Sequence, residues 1–173
     1  MSSPGQHSWP LFETELKDVP APLPPSAEKW EWQIEWQKLI ILTTLHIGAV
    51  YGAYLSFTKA MLATNLFAAF LYVFTGLGIT AGVHRLWTHK AYKARLPLRL
   101  ILVFLNTIAF QDTILGWARD HRMHHKYSET DADPYNATRG FFFSHVGWLM
   151  VKKHPEIKLK GHTIDMSDLS ADP

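Results

Sequence analysis

Residues 39–58 read LIILTTLHIGAVYGAYLSFT, twenty residues between Lys38 and Lys59 without Asp, Glu, Lys or Arg. At about 1.5 Å per residue, a helix of this length reaches about 30 Å, the thickness of a bilayer core. A second uncharged run, 60–83, comes after the single lysine and reads AMLATNLFAAFLYVFTGLGITAGV. Two such runs predict a transmembrane helical hairpin, with spans over 39–58 and 62–83, rather than two buried helices of a soluble protein. Gly48, Gly52, Gly76, Gly78 and Gly82 would weaken helices in water, whereas small residues suit close packing between membrane helices. The expected fold is therefore all-α: a membrane hairpin joined to cytosolic or interfacial helices.

Upstream, residues 1–29 are rich in Pro, Ser and charge, and are expected to form a disordered arm. Nothing in them resembles a basic region leading into a short apolar core, so no cleaved signal peptide is expected. Trp30-Glu31-Trp32-Gln33-Ile34-Glu35-Trp36 then sets three tryptophans where the first span begins. Tryptophan favours the boundary between headgroups and hydrocarbon, which makes this an interfacial belt. His46 lies inside the first span without a second histidine at helical spacing. It is expected to be neutral and to bond to a neighbouring helix.

Two spans return the chain to its starting side. Arg85, Lys90, Lys93, Arg95 and Arg99 come after the second, against Lys59 alone in the turn. The positive-inside rule then puts the amino terminus and the chain beyond residue 83, both histidine clusters included, in the cytosol. Asn136-Ala137-Thr138 fits the glycosylation pattern, but on that side it would not meet the glycosylation machinery. A third apolar stretch, from Leu100 to about Gln111, is too short to span and reads as an interfacial or re-entrant helix. Tyr127 to Arg139 is polar with a turn at Asp133-Pro134, Phe141-Phe142-Phe143 opens another apolar patch, and the chain is polar from His154 onward.

Five of the ten histidines fall within the 42 residues beside these membrane segments: His84, His89, His121, His124 and His125. His121, His124 and His125 stand at i, i+3 and i+4 and share a helix face. His84 and His89 are five apart, so an α-helix would splay them by about 140° unless it ends or bends between them. Without cysteine, thiolate sites and disulfides are excluded. An imidazole set of this kind suits iron, zinc or copper. The alternative, histidines of a basic loop that bind phosphate or nothing, fits poorly with two clusters both beside membrane segments. Two ions with three or more protein ligands each would need about six ligands, beyond these five imidazoles. His145, His154 and His162 are further candidates, but His154 before Pro155 and His162 after Gly161 look like solvated surface. A net charge of +2 is too small to point to nucleic acid, and no such partner is expected.

The motifs His84-Arg-Leu-Trp-Thr-His89 and His121-Arg-Met-His-His125 resemble the first two histidine boxes of membrane fatty acyl-CoA desaturases of the delta-9, stearoyl-CoA type. The likeness continues through Lys126-Tyr-Ser-Glu-Thr-Asp-Ala-Asp-Pro134 and Arg139-Gly-Phe-Phe-Phe-Ser-His-Val-Gly-Trp148, and its wording is closest to insect members. The resemblance covers roughly residues 36 to 170 and makes 30–173 a partial desaturase domain, the half with boxes 1 and 2. It implies a multi-pass enzyme of the endoplasmic reticulum membrane that uses O2, a di-iron centre and electrons from cytochrome b5. The product would be a cis double bond in a fatty acyl-CoA. It further implies that His84, His89, His121, His124 and His125 are iron ligands, that Arg119 and Asp120 contact the CoA moiety, and that Lys152 and Lys153 lie near its phosphates.

Departures from the family pattern are equally specific. The third box, His-Asn-x-His-His, is absent. Asp112 and Leu39 stand where several members carry Asn, Tyr135 where a histidine often comes after Asp-Pro, and Gly116 where a larger polar residue is usual. These 173 residues are accordingly expected to be inactive alone. The other readings are an inactive membrane partner of a complete desaturase, and a hydroxylase of the same histidine-box superfamily.

Overall fold

The computed structural model describes residues 30–172; the expected arm, 1–29, lies outside them. Helix α1, Trp36–Thr58, and helix α2, Leu62–Leu77, occupy the two uncharged runs, and α2 passes without a break into a π-helical segment, Gly78–Thr88. Next come helices α3, Leu96–Ala109, and α4, Ile114–Tyr127, then α5, Phe141–His145, α6, Pro155–Gly161, and α7, Ser167–Ser170. Single 3₁₀ turns lie at Ala137–Arg139 and Gly147–Met150. Among the described residues the extended pairing is limited to one bridge, Ile34 to Val151. The fold is all-α, as the sequence predicts.

Among the described residues, two continuous helices are long and apolar enough to cross a membrane, Trp36–Thr58 and Leu62–Thr88. In α1 no residue is buried by protein, and Val50 and Phe57 are 74% and 91% exposed. Burying a side chain of this size is worth about 1.5–3 kcal/mol, so a helix this bare is built for lipid or for a protein partner rather than for water. The hairpin closes through polar groups at its turn, where Ser56 Oγ donates to Asn65 Oδ1 at 2.7 Å and Asn65 Nδ2 donates to the Ser56 carbonyl at 3.0 Å.

The glycines divide by role. Gly78 and Gly82 pack against α3, and a Cβ at Gly78 would stand 2.5 Å from the Asn106 backbone nitrogen. Gly48, Gly52 and Gly76 meet nothing within 4 Å, so the expectation of close helix packing is met at two of the five positions. His46 also differs from expectation: its Nδ1 lies 2.7 Å from the Leu42 carbonyl of its own helix, which takes up its polarity without a neighbouring helix.

The third apolar stretch forms α3 and then turns through 82° into α4. Pro97 in its first turn suits a helix start, and Phe110 and Asp112 make the corner in left-handed backbone (φ 56° and 82°). The core lies where α3, α4 and the π-helical segment meet, around Val83, Leu86, Trp87 and Leu102. A second cluster joins α4 to the loop after it and to α6 through Met123, Ala132 and Ile157.

The polar end is not a solvated tail. Met166 is buried, and Asp168 and Asp172 are paired with Arg122, Lys90 and Arg99 from three earlier segments. His154, expected on the surface, is 9% exposed: its Nδ1 accepts from the Glu156 amide at the start of α6, and its ring meets Trp30 edge-on at 5.3 Å. Capping a helix consumes the polarity that suggests a solvated ring. Asn136 is 3% exposed and bonded to Thr130 and Thr138, so the folded chain offers no glycan acceptor there on either side of a membrane.

Glu35 N donates to the Met150 carbonyl at 2.8 Å and Lys152 N to the Gln33 carbonyl at 2.8 Å. The start of α1 is thereby fastened to the segment after α5. Gly78→Ala should force α2 and α3 apart and cost about 1–3 kcal/mol, read as a lower midpoint of thermal unfolding in detergent. Gly48→Ala, in open space, should leave that midpoint unchanged or slightly raise it.

Candidate metal centre

Winding decides whether the first histidine pair can act together. A helix with i→i+5 hydrogen bonds brings residues five apart onto one face. One such backbone bond closes the end of the π-helical segment, where His89 N donates to the His84 carbonyl at 3.0 Å; beside it the Thr88 side-chain hydroxyl donates to the Val83 carbonyl at 2.7 Å. His84 and His89 accordingly meet, Nε2 to Nε2, at 3.1 Å. The splay expected of an α-helix is removed by π winding up to the last residue before His89.

On α4, His121 and His125 are one turn apart and meet in the same way, Nε2 to Nε2, at 3.1 Å. The two pairs face each other. One ring nitrogen from each of His84, His89, His121 and His125 lies within 4.8 Å of all the others. Two nitrogens bound at about 2.1 Å would be about 3.0 Å apart at an octahedral angle and about 3.4 Å apart at a tetrahedral one, a range that contains both pairs. The donor set, four imidazoles and no thiolate, suits a borderline transition metal. His89 and His125 are exposed and border an open cavity of about 290 Å³, which leaves the cluster reachable from solvent.

His124 stands outside this group. Its Nδ1 lies 2.9 Å from Oδ1 of Asp133, and Asp133 is fully buried. The carboxylate also accepts from the Glu129 amide and the Tyr135 amide, each at 2.9 Å. With Asp133 as the acceptor, Nδ1 is the donor and Nε2 is the ring atom left for other partners, the pattern that carboxylates impose on ligating histidines. Sequence alone does not single out Asp133, because it sits in a polar loop. The adjoining Pro134 and the requirement of His124 for an acceptor are the available signals. Tyr135, next but one in the loop, is mostly buried, and its ring lies 5.3 Å from His124 and 4.7 Å from Trp148. Burial first, and then the carboxylates of Asp120, Asp133 and Asp112, push its phenol up, so it remains protonated.

Of the residues expected at a CoA group, three come together. Lys153 forms an ion pair with the buried Asp120, and Arg119 Nε lies 3.7 Å from Asp120 Oδ1. Lys152 is exposed, and its backbone pairs with Gln33.

Electrostatics in the cluster favour neutral imidazoles. Burial, and then the neighbouring His125, His84, His89 and His124, lower the pKa of His121 from 6.5 to about 3. Burial also lowers that of His89, with His84, His125 and Arg122 adding to it. Neutral rings are the form that binds metal.

No protein-family model matches the chain. Among curated proteins, it is 61% identical over 145 residues to an acyl-CoA Delta-9 desaturase of Acheta domesticus, an alignment covering 84% of the chain and 40% of that protein. It is 54% identical over 162 residues to stearoyl-CoA desaturase 2 of Mus musculus, covering 94% and 43%. It is 47% identical over 173 residues to an acyl-CoA Delta(11) desaturase of Trichoplusia ni, covering 100% and 49%. The chain spans less than half the length of each of these relatives. By sequence it is a membrane-associated member of the acyl-CoA desaturase family.

In the metal-free protein, unfolded His121 takes up a proton near pH 6.5, whereas the folded ring stays neutral down to about pH 3. The unfolded state therefore binds more protons in that window, and stability falls as pH falls across it. Far-UV circular dichroism with chelator present should show acid unfolding beginning below pH 6.5, and His121→Gln should flatten that slope.

Proposed function

We propose that the chain is part of a fatty acyl-CoA desaturase, an oxidoreductase that introduces a cis double bond into an acyl-CoA using O2 and two iron ions. The carrying observation is the cluster of His84, His89, His121 and His125 at the end of a membrane-length helix, in a sequence 61% identical to a Delta-9 desaturase. In this reading the four rings hold one iron. His124, oriented by Asp133, is a ligand of the second, whose other ligands are not among the described histidines. Iron bound there would supply the oxidising power to remove two hydrogens from an unactivated methylene pair.

The chain's own residues would do the remaining work. The four rings would hold the ion beside the solvent-reachable cavity that His89 and His125 border. Arg119 and Lys153 supply positive charge for the CoA phosphates, with Asp120 holding Lys153 in place and Lys152 adding charge at the edge. The apolar walls of α2 and α3 suit an acyl chain and keep water from it. Electrons would come from cytochrome b5, as the family resemblance implies.

The proposed setting is the endoplasmic reticulum membrane with the cluster and the amino terminus on its cytosolic face. The backbone pairing of residues 33–35 with 150–152 supports one shared side. The Delta-9 position is the finest part of the reading and rests on the cricket relative, since relatives of similar identity are named for other positions.

The other reading is a membrane partner that modifies a complete desaturase without turning over. A chimera separates the two. Residues 30–172 should replace the matching part of the Acheta Delta-9 enzyme and restore Delta-9 monounsaturated fatty acids in desaturase-deficient yeast, whereas the 173-residue chain alone should yield none. A stable chimera that makes no unsaturated product would sink the desaturase reading, and co-purification of the chain with an intact desaturase would then support the partner.

A further inference from the structure

Arg122 lies between two parts of the cluster without belonging to it. It directly succeeds His121 on α4 and borders the same cavity as His89 and His125, yet its guanidinium uses all five of its N–H groups on other partners. Nε donates to the Thr88 carbonyl at 3.3 Å, and Nη2 to the Trp87 carbonyl at 2.7 Å. These are the last two carbonyls of the π-helical segment, whose onward partners are missing at any helix end. Nη1 and Nη2 also bind both oxygens of Asp168, at 2.9 and 2.8 Å, and Nη1 binds the Asp165 carbonyl at 2.6 Å. One side chain thus joins the residue before His89, the residue after His121 and the segment 162–172.

The same segment reaches the first histidine pair by other routes. Lys90, directly after His89, lies 3.2 Å from Asp168. Trp87 Nε1 donates to Asp172 Oδ2 at 3.1 Å. Charge and hydrogen bonding therefore tie segment 162–172 to both sides of His89, across a long separation in sequence.

We propose that Arg122 is a positioning residue for the four-histidine cluster, and that the segment 162–172, through Asp168, sets the separation of its two histidine pairs. This rests on the metal reading above. When Asp168 orients the guanidinium, the guanidinium fixes the Trp87 and Thr88 carbonyls, and these fix where His89 stands relative to His121 and His125. Ion binding and docking of the segment must then favour each other to the same degree, because coupling between two equilibria is reciprocal.

The test uses the full chain in lipid nanodiscs with cobalt(II) as the probe, read by visible d–d absorption. The unaltered chain should take up one cobalt per chain, and saturation should slow proteolysis within 162–172. Asp168→Asn keeps the size of the side chain and removes its charge, and Arg122→Lys removes the fork. Both should weaken cobalt binding about 10–100-fold, the range for groups that orient metal ligands, and alter the d–d bands at unchanged far-UV helicity. Asp168→Glu should recover much of the affinity. Wild-type affinity and bands in Asp168→Asn would overturn the proposal. Should that variant lose helicity, the unaltered chain decides, because a cleavage rate within 162–172 that cobalt saturation leaves unchanged would overturn it. Absence of cobalt binding in the unaltered chain would instead overturn the metal reading itself.

Discussion

Residues five apart diverge on a regular α-helix, and the site depends on the i→i+5 winding that brings His84 and His89 together. The π-helical segment Gly78–Thr88 supplies it by giving up the α-helical ladder over eleven residues. Long π segments are rare because the geometry is poor on its own. This one is supported from outside. Tyr92 Oη donates to the Ala81 carbonyl at 2.7 Å, Arg122 caps the carbonyls of Trp87 and Thr88, and Gly78 and Gly82 let α3 close against one side. Tertiary contacts supply the hydrogen bonds and packing that the winding itself does not.

Arg122 is the largest of these supports. Its side chain is 14% exposed and that of Asp168 29%. A guanidinium left without partners at that depth would be costly, but the acceptors around it satisfy every donor. Hydrogen bonds to a charged group are worth about 1.5–3 kcal/mol each when buried, and partial exposure here places them toward the lower end. Part of the set, the bonds to Asp165 and Asp168, reaches segment 162–172, whose Met166 is buried and whose Leu169 and Ile164 pack on the two apolar clusters. Asp168 responds accordingly: the hydrogen bond from Arg122 holds its carboxyl below the usual range. Docking of this segment therefore combines ion pairs with the packing of Ile164, Met166 and Leu169.

Much of the fold is legible in the sequence because its strongest signals are local. The charge-free runs 39–58 and 60–83 mark both spans, and Pro97 with a largely apolar stretch of about a dozen residues marks α3. The gathering of four histidines rests on types and spacing on α4, and on neighbourhood alone for His84 and His89. The hidden features depend on contacts across long separations. No local pattern marks π winding. Nor does a polar stretch such as Ser167 to Asp172 reveal that Lys90, Arg99 and Arg122 will meet its carboxylates. Ile157, Ile164, Met166 and Leu169 are the available hint, since a solvated tail has little use for four apolar residues.

The division of the histidines into four and one depends on what each ring's far side meets. In His84, His89, His121 and His125, the Nε2 atoms are turned toward one another. His124 shares the helix with two of them, but Asp133 holds its Nδ1 and points it elsewhere. A fully buried carboxylate is expensive unless its partners are fixed, and Asp133 has three, two of them backbone amides of its own loop. The loop after α4 is thus shaped around one acid whose remaining task is to set a tautomer. The two amide bonds account for an acid in the loop, and its bond to His124 is the part that the loop itself does not require. It is readily accounted for if the free Nε2 of His124 has a ligand to bind beyond the four-histidine cluster.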